Sequence, residues 1–206
     1  MEKDNQDVLQ KSRSARACIR DGFQFYTAHF RHILRNTWPV AIVYALLSMI
    51  ASALPVLISP ILLLWGSLIG VLAVVLLLIG ARWMLHKRQM FHKTKKVPFV
   101  AWLTHLGAVI LIVIVCLFVI SILTMLTALP AIIMMAANWQ SQMGVINGDP
   151  IGMPDYVRWL SLGAFLLAGF IQAYVWLTIL FPFHLLKASI AYKEEELKKF
   201  NNRNRI

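Results

Sequence analysis

Histidine is the residue type in this sequence best suited to holding a metal ion or a haem iron. His29 and His32 lie three residues apart, so on a helix they can share one side. Three others stand where apolar segments begin or end, and one stands in a basic stretch: His86, His105, His184 and His92. Imidazoles on different helices at one level can ligate iron or zinc. The simpler interpretation is that a histidine ring, apolar in body and polar at its tip, suits a membrane interface.

Catalytic motifs are not evident in the sequence. The pair His29 and His32 lacks the spacing and the glutamate of the HExxH zinc-protease motif. There is no Ser/His/Asp set, pair of carboxylates or glycine-rich phosphate loop. Asp149 and Asp155 lie in a stretch rich in turn residues, where aspartate favours turns for local reasons. We therefore expect a protein that is not an enzyme and that has no cofactor and no metal site.

Neutral polar residues within the apolar segments are the other candidates for chemistry. Such residues most often bond to a neighbouring helix or to their own backbone. The middles of the apolar segments contain no Asp, Glu, Lys or Arg. Because coupled carriers mark their pathway with ionisable groups, this argues against a proton- or ion-coupled carrier that acts alone. Four residues could instead line a neutral polar pathway: Gln172, Ser121, Thr124 and Thr178.

The elements that would position these residues are four long apolar segments. The chain has 206 residues, of which 59% are hydrophobic and 14% charged, against about 25% charged in soluble domains. A helix needs about 20 apolar residues to cross the hydrocarbon of a bilayer. We therefore predict an all-α polytopic integral membrane protein. Its four transmembrane helices are expected at about 38–57, 60–85, 106–129 and 157–183.

The spacing of these segments predicts how they pair. Only Ile58 and Ser59 separate the first two spans, so these must form an antiparallel hairpin, and the last two are expected to form a second one. The third run has 32 residues without charge, which is too long for one crossing, and Pro130 is the expected break. Thr37 is expected to cap the first span, with Pro39 in its first turn.

The N-terminal segment, residues 1–37, is predicted to contain an amphipathic juxtamembrane helix over 15–36. Such a helix can lie in the plane of the lipid headgroups. It can equally pack its apolar side beneath the bundle or against a partner helix, and the two arrangements do not exclude each other. The apolar side is a stripe with spacings of four and three residues, formed by Ile19, Phe23, Tyr26, Phe30 and Ile33.

The two cysteines are expected to be reduced thiols. Cys18 lies in the basic N-terminal segment and Cys116 lies in the middle of an apolar span. The predicted topology places them at different depths, so a disulfide between them is not expected. Acylation of Cys18, next to a membrane-lying helix, is the alternative to a plain thiol.

The distribution of charge predicts the orientation. Of the 20 Lys and Arg residues, 19 lie before residue 38, within 82–97 or after residue 182. Segments on alternate sides therefore differ strongly in basic content, which is the positive-inside pattern. We predict that both termini, the 82–97 loop and the tail 184–206 are cytoplasmic, in a bacterial inner membrane. The membrane domain is then 38–183, and its loop 138–157 is external.

The cytoplasmic side is expected to contact anionic lipid headgroups or a protein partner through basic residues. Each basic residue near the headgroups adds roughly 1 kcal/mol of attraction to anionic lipid. No helix-turn-helix or zinc-finger spacing accompanies the net charge of +11, so nucleic acid is not an expected partner. The candidate contact residues are Arg31, Arg35, Lys87, Arg88, Lys95 and Lys96.

Small residues mark the expected helix-packing faces, because residues of this size let two helix backbones approach closely. The second span contains a GxxxG match, the first contains two serines four apart, and the fourth contains two glycines. We expect these to pack within the same bundle, ahead of a specific dimer contact. The candidates are Gly66, Gly70, Ser48, Ser52, Gly163 and Gly169.

Two functions are compatible with these patterns. The first is a non-enzymatic membrane protein that acts as a scaffold, an assembly factor or a subunit of a larger complex, through helix packing and a basic cytoplasmic face. A protein partner or a homo-oligomer is then expected. The sequence favours it because little of the chain is external, no catalytic motif is present, and much basic surface is internal. The alternative is a small transporter or permease subunit with a neutral polar pathway.

Overall fold

The computed structural model of the chain describes residues 13–55, 60–88, 97–148 and 155–203. Every regular element within these ranges is helical. A 3-10 turn (Pro60–Leu62) accompanies seven α-helices, which we number in chain order: α1 (Ala15–Ala28), α2 (Phe30–Ala53), α3 (Leu63–Lys87), α4 (Phe99–Thr104), α5 (Leu106–Ile146), α6 (Asp155–Leu177) and α7 (Leu180–Arg203).

Four helical stretches are long and apolar enough to cross a membrane. They are α2, α3, α5 and the stretch Trp159–Phe200, which takes in most of α6 and α7. A helix satisfies its own backbone hydrogen bonds, which is why it is the form that such apolar segments take in hydrocarbon. The predicted all-α class and the four spans are therefore confirmed, and the chain has the helices of an integral membrane protein.

The helices form two compact units, each built from segments that are distant in the sequence. Of the described residues, the first unit comprises 13–33, 85–88, 97–119 and 178–203, and the second comprises 34–55, 60–84, 120–148 and 155–177. The sequence divides the chain differently, into an N-terminal segment, a membrane domain and a tail, and that division stays a prediction.

In the first unit, α1 packs along α7. The residues that α1 buries are Cys18, Gly22 and Tyr26, spaced four apart, so that one side of the helix is in contact. The ring of Phe181 in α7 lies 5.3 Å from the ring of Tyr26 and 5.8 Å from that of Phe25. The apolar side of α1 is thus largely occupied by α7.

The predicted stripe overlaps this buried side without coinciding with it. Tyr26 and Ile33 are buried, Ile19 and Phe23 are half-buried, and Phe30 is exposed. Within α1 the contact with α7 is centred on Cys18, Gly22 and Tyr26, where Gly22 lets Pro182 approach, and this line lies one residue to the side of Ile19 and Phe23. The division at His29 affects only Phe30 and Ile33, which belong to the next helix.

The backbone before α1 is bonded to α7. The Arg13 N–H donates to Ser189 Oγ at 2.9 Å, and the same hydroxyl donates to the Arg13 carbonyl at 3.3 Å. The Arg13 guanidinium is 9% exposed and lies 3.5 Å from the carboxylate of Asp21 in α1. These contacts hold the beginning of α1 against α7.

The core of the first unit contains both cysteines. Cys18 and Cys116 are fully buried free thiols. The absence of a disulfide between them stays a prediction, as do their depths in the membrane, although α1 brings Cys18 into the same apolar cluster as Cys116. The burial of Cys18 favours a plain thiol over acylation, because a fully buried sulfur leaves no room for an acyl chain. The other buried members of this cluster are Ala101, Ile112, Leu185, Leu186 and Ile190.

Two histidines of the first unit end short helices in the same way. His29 follows α1 and His105 follows α4, both with φ −107° and with ψ 15° and 21°. Their Nδ1 atoms lie 3.1 Å from the Phe25 carbonyl oxygen and 3.0 Å from the Ala101 carbonyl oxygen. A side chain that binds the carbonyl four residues back competes with continuation of the helix. The helix predicted over 15–36 is therefore divided at His29.

The start of the first span also differs from the prediction. Thr37 is buried inside α2 and does not cap a helix, and Pro39 lies within the same helix. The helix of this span begins at Phe30, directly after the break at His29. Thr37 therefore lies about two turns inside the helix. The predicted N-cap at Thr37 is wrong for this reason.

Pro130 does not end α5. This helix has 41 residues and includes Pro130, so the break expected there is absent and the residues that follow continue the same helix. Membrane helices tolerate proline where neighbours or local adjustment satisfy the freed carbonyl. A turn at Asn147 and Gly148 follows α5, where Gly148 has φ +91°, a conformation that favours glycine.

A proline does mark the break between α6 and α7. Pro182 has no N–H to donate to the Thr178 carbonyl, and its ring crowds the preceding turn. Thr178 and Ile179 accordingly form a turn between the two helices. Most of the predicted tail, residues 184–206, belongs to α7, where Lys199 and Glu195 lie 3.9 Å apart.

In the second unit, glycines bring α2 and α3 together. A Cβ atom on Gly66 would lie 2.5 Å from the Ala51 carbonyl oxygen, and one on Gly80 would lie 3.1 Å from a methyl group of Val40. The contacts move towards the beginning of α2 as they move along α3. The two helices therefore run in opposite directions where they touch.

Candidate functional site

A cavity of about 720 Å³ lies among the helices of the second unit. Residues from α2, α3, α5 and α6 line it, and none of the lining residues carries a charge. Its volume is in the range of pockets that bind small molecules in other proteins. Besides Trp176, the residues with polar groups in its lining are Tyr44, Ser48, Ser52, Ser67, Thr124 and Gln172.

Tyr44 is hydrogen-bonded to two other side chains of the lining. The Tyr44 hydroxyl is bonded to the side chains of Ser48 and Trp176. Tyr44 is buried, and Ser48 lies one helical turn after it on the same side of α2. The indole of Trp176 can only donate, so its N–H donates to the Tyr44 oxygen. This group joins α2 to α6 and gives one end of the cavity a polar wall without charge.

Gln172 lies one turn before Trp176 on α6 and lines the same cavity. It is half-buried, so part of its side chain lies within the bundle. An amide offers two donors and two acceptor lone pairs. A strongly polar side chain in a membrane span is costly, and such groups typically face a cavity or a ligand. Gln172 is thus the strongest single sign that this cavity binds something.

Thr124 on α5 adds an unsatisfied hydroxyl to the same lining. Its hydroxyl oxygen is buried and, within the described part of the chain, has no hydrogen-bond partner. Thr127, one turn further along, shows the usual alternative, because its hydroxyl donates to the Leu123 carbonyl at 2.9 Å. The difference is that Thr124 lines the cavity and Thr127 does not.

Most of the predicted helix-packing residues lie around this cavity. Ser48, Ser52, Gly66, Gly70 and Gly169 all line it, and Gly163 does not. They are not equivalent, because only some of them permit a close approach of backbones.

Gly66 and Gly169 are the two close contacts among them. A Cβ atom on Gly169 would lie 3.1 Å from Ala45 Cα and 3.2 Å from Ser48 Cβ, so α6 approaches α2 closely there. Cβ atoms on Gly70 and Gly163 would meet nothing within 4 Å. One glycine of the GxxxG match is therefore a packing position and the other borders open space.

The cavity opens on the side formed by α3 and α5. The lining residues that are exposed belong to these two helices alone, whereas those on α2 and α6 are buried or half-buried. In the most apolar stretch of each of α3 and α5, only 17% of the residues are buried. The outer surfaces of these two helices are therefore suited to lipid. The exposed lining residues are Leu63, Ser67, Val71, Val75, Ile132 and Met135.

The predicted basic contact residues lie on the surface where they are described. Arg31 and Arg35 are exposed, one turn apart on α2, and Lys87 and Arg88 are exposed at the end of α3. Lys95 and Lys96 lie outside the described residues, as does His92. On α1, Arg16 and Arg20 are exposed on the side opposite the one that contacts α7.

The histidines do not assemble a site within the described ranges. No group of three or more His, Cys, Asp or Glu side chains there could hold a metal ion. His29 and His105 bond to carbonyls of their own helices.

Sequence reasoning singled out Gln172 and Thr124 but not Tyr44 or Trp176. The signal for Tyr44 was its place four residues before Ser48 and eight before Ser52, which puts three hydroxyls on one side of α2. Trp176 carried a similar signal, four residues after Gln172. From the sequence both are ordinary aromatic residues of an apolar span. An aromatic ring in such a segment does not indicate the hydrogen-bond partner of its polar atom.

Comparison of the chain with protein-family models, with curated proteins and with solved structures finds no match in any of the three.

Proposed function

We propose that this chain is a small facilitator or permease subunit that passes an uncharged molecule through the cavity of its second unit. The observation that supports this most directly is the lining, to which α2, α3, α5 and α6 all contribute and in which polar groups occur without charge. Ionisable groups typically mark the pathway of a carrier that is coupled to a proton or ion gradient. An uncoupled protein moves its substrate down the substrate's own gradient.

The proposed arrangement in the membrane is two antiparallel hairpins in a bacterial cytoplasmic membrane, with both ends of the chain in the cytosol. The opposite directions of α2 and α3 at Gly66 and Gly80 support the first hairpin. The concentration of Lys and Arg in alternate segments supports the orientation. In this arrangement the exposed arginines Arg16 and Arg20 of α1 face the lipid headgroups, while α7 occupies its apolar side.

Flux through proteoliposomes tests the proposed function. The purified chain is reconstituted alone, and the entry of uncharged solutes such as glycerol and urea is compared with that of sodium and acetate. Transbilayer movement of a fluorescent neutral lipid is followed in the same vesicles. Ala128→Leu, which fills the cavity from α5, should reduce the flux of the accepted molecule to background. Equal flux in wild type and Ala128→Leu, for every molecule of the panel, would defeat the proposal.

The second candidate is a scaffold, an assembly factor or a subunit of a larger membrane complex. Two observations favour it: the exposed apolar surfaces of α3 and α5, and the exposed basic residues Arg31, Arg35, Lys87 and Arg88. Exposed apolar spans suit a neighbouring helix as well as lipid. Anionic lipid headgroups, a protein partner or a second copy of the chain are the binding partners that this candidate requires.

Co-purification separates the two candidates. Charge reversal at Lys87 and Arg88, together with Lys95 and Lys96, should release a partner that is bound through the basic face and leave flux unchanged. A scaffold predicts a protein partner in fixed stoichiometry that is lost from this variant. A facilitator predicts flux from the chain alone and no dependence on these residues.

A further inference from the structure

The polar end of the cavity selects for an uncharged head group. Tyr44, Ser48, Trp176 and Gln172 supply donors and acceptors there, and among the described residues no cationic or anionic side chain lines the cavity. A buried phosphate or carboxylate would have no counter-ion, and burial of an unpaired charge is far more costly than burial of a neutral polar group. A carbonyl oxygen, by contrast, can accept from the amide nitrogen of Gln172, and a hydroxyl can either accept from that nitrogen or donate to the amide oxygen.

The rest of the cavity is shaped for an apolar chain. The lining extends from Tyr44 in α2 to Pro55 just after it, which corresponds to about 16 Å if the chain is helical throughout. Apart from the polar residues the lining is mainly aliphatic, with Val71, Val74 and Ile132 among its members. A small solute such as glycerol would leave most of this surface without contact. An elongated molecule with one polar end would cover both parts.

The opening indicates from where such a molecule enters. The exposed lining residues lie on α3 and α5, and the outer surfaces of these helices are apolar. A ligand already dissolved in the hydrocarbon could pass between the two helices without crossing the headgroup layer. A water-soluble ligand would have to cross that apolar surface first.

We propose that the cavity binds a neutral lipid with a carbonyl or hydroxyl head, which enters between α3 and α5 and places its head against Gln172 and Tyr44. This chemistry is shared by isoprenoid quinones and diacylglycerols. The inference rests on the proposed function only in that it concerns the same cavity, because a lipid can be bound there without being moved across the membrane.

Analysis of co-purified lipid is the first test. The full chain is purified in a mild detergent and extracted with organic solvent, and the extract is examined by mass spectrometry for quinones, diacylglycerols and phospholipids. Wild type should retain a neutral lipid in a ratio close to one per chain. Gln172→Leu and Ala128→Leu should lose it, since the first removes the amide and the second fills the space. Thr127→Val, outside the cavity, should retain it.

Binding of a defined probe is the second test. A short-chain ubiquinone, which quenches tryptophan emission, is titrated into protein freed of lipid, and dioctanoylglycerol is used as its competitor. Quenching should be saturable, and Trp176→Phe should reduce its amplitude. Gln172→Leu should raise the dissociation constant about tenfold, the size expected for one lost hydrogen bond in a buried site. Thr124→Val is a second cavity variant, for use if Gln172→Leu does not fold.

The two sources of this chemistry give different results. Retained quinone with saturable quenching identifies a quinone site, and retained diacylglycerol that competes with the quinone identifies a diacylglycerol site. Non-saturable quenching, with no neutral lipid retained by folded wild type, would overturn the proposal. A bound neutral lipid without any flux would defeat the proposed transport and leave the lipid site supported. Flux of water-soluble solutes without bound lipid would support the transport and overturn the lipid site.

Discussion

Gly22 in α1 lies so close to Pro182 in α7 that a Cβ atom on Gly22 would be 2.7 Å from the proline nitrogen. It would also lie 2.9 Å from Pro182 Cα. The atoms in the way belong to the backbone and to a rigid ring, so they cannot rotate aside. The same proline interrupts the helix between α6 and α7, so the break and the docking of α1 occur at one place.

Gly22→Ala should therefore destabilise the first unit. Alanine gains up to about 1 kcal/mol in helix propensity, but overpacking against backbone costs about 1–3 kcal/mol and should prevail. The measurement is the thermal unfolding midpoint in detergent, with limited proteolysis of α1 as a local readout. Gly107→Ala is the matched control in the same unit, since its Cβ would meet nothing within 4 Å. An equal midpoint for the two variants would contradict the close contact at Pro182.

The two glycines of the GxxxG match should respond differently to alanine. Gly66→Ala places a Cβ atom 2.5 Å from the Ala51 carbonyl oxygen, whereas Gly70→Ala meets nothing within 4 Å. We expect a loss of about 1–3 kcal/mol from the first and a neutral or slightly stabilising effect from the second. Unfolding of each variant in a denaturing detergent titration provides the comparison. A dimer contact that uses both glycines would make the two losses similar and would show in the oligomeric state.

Gly169 and Gly163 form a second matched pair, on α6. A Cβ atom on Gly169 would lie 3.1 Å from Ala45 Cα and 3.2 Å from Ala45 O, which is tight but not impossible. Gly169→Ala should therefore cost less than Gly66→Ala, about 1 kcal/mol, and Gly163→Ala should be neutral. The same unfolding titration measures both. The geometry predicts that the loss of stability on substitution by alanine decreases from Gly66 to Gly169 to Gly163. Any other order would indicate different helix contacts.

The four spans could be predicted from the sequence because length and hydropathy are sufficient to identify them. The boundaries could not, and His29 shows why. Its ring nitrogen bonds to the Phe25 carbonyl, and nothing in the sequence distinguishes this local bond from a histidine exposed at an interface. Once the break is at His29, Thr37 lies inside a helix and its capping preference has no role. One unrecognised side-chain contact thus moved the beginning of a span by two turns.

Proline was similarly ambiguous in the sequence. Pro130 lies within a continuous helix, whereas Pro182 accompanies a break. Both residues are prolines, and each leaves one backbone carbonyl without its helical hydrogen bond. Whether the helix continues depends on which neighbouring groups satisfy that carbonyl, and the sequence alone does not reveal them.

The candidate site was predictable only in part. Gln172 could be singled out because it is the strongly polar residue inside an apolar span. Its meaning depends on the cavity, which forms because small residues on α2 and α6 allow close contact while Gly70 on α3 borders a gap. Whether small residues produce a seal or a space depends on the packing of four helices, and spacing along one helix does not determine it.

Cys18 should be an unreactive thiol in the folded protein. Burial raises the pKa of the Cys18 thiol above its ordinary value of 9.0, and this effect outweighs the opposing influence of Arg13. The thiolate is the reactive form, so both burial and the raised pKa slow the reaction. In a Cys116→Ala background, labelling by N-ethylmaleimide at pH 7.5 should be at least about 100-fold slower in native protein than in protein unfolded by denaturant. Rapid labelling of native protein would contradict the docking of α1 on α7.

The same thiol makes stability depend on alkaline pH. Above its ordinary value of 9.0 the unfolded thiol loses its proton while the folded one retains it, because the folded pKa is raised. The folded state then binds more protons, so its stability must fall as pH rises from that value towards the folded pKa. Below pH 9 the contribution should be constant. We expect the unfolding midpoint to decrease between pH 8.5 and 10 more steeply in wild type than in Cys18→Ala. Gly22→Ala should lie between them, because loosening α1 from α7 admits water to the thiol and lowers its pKa towards the ordinary value.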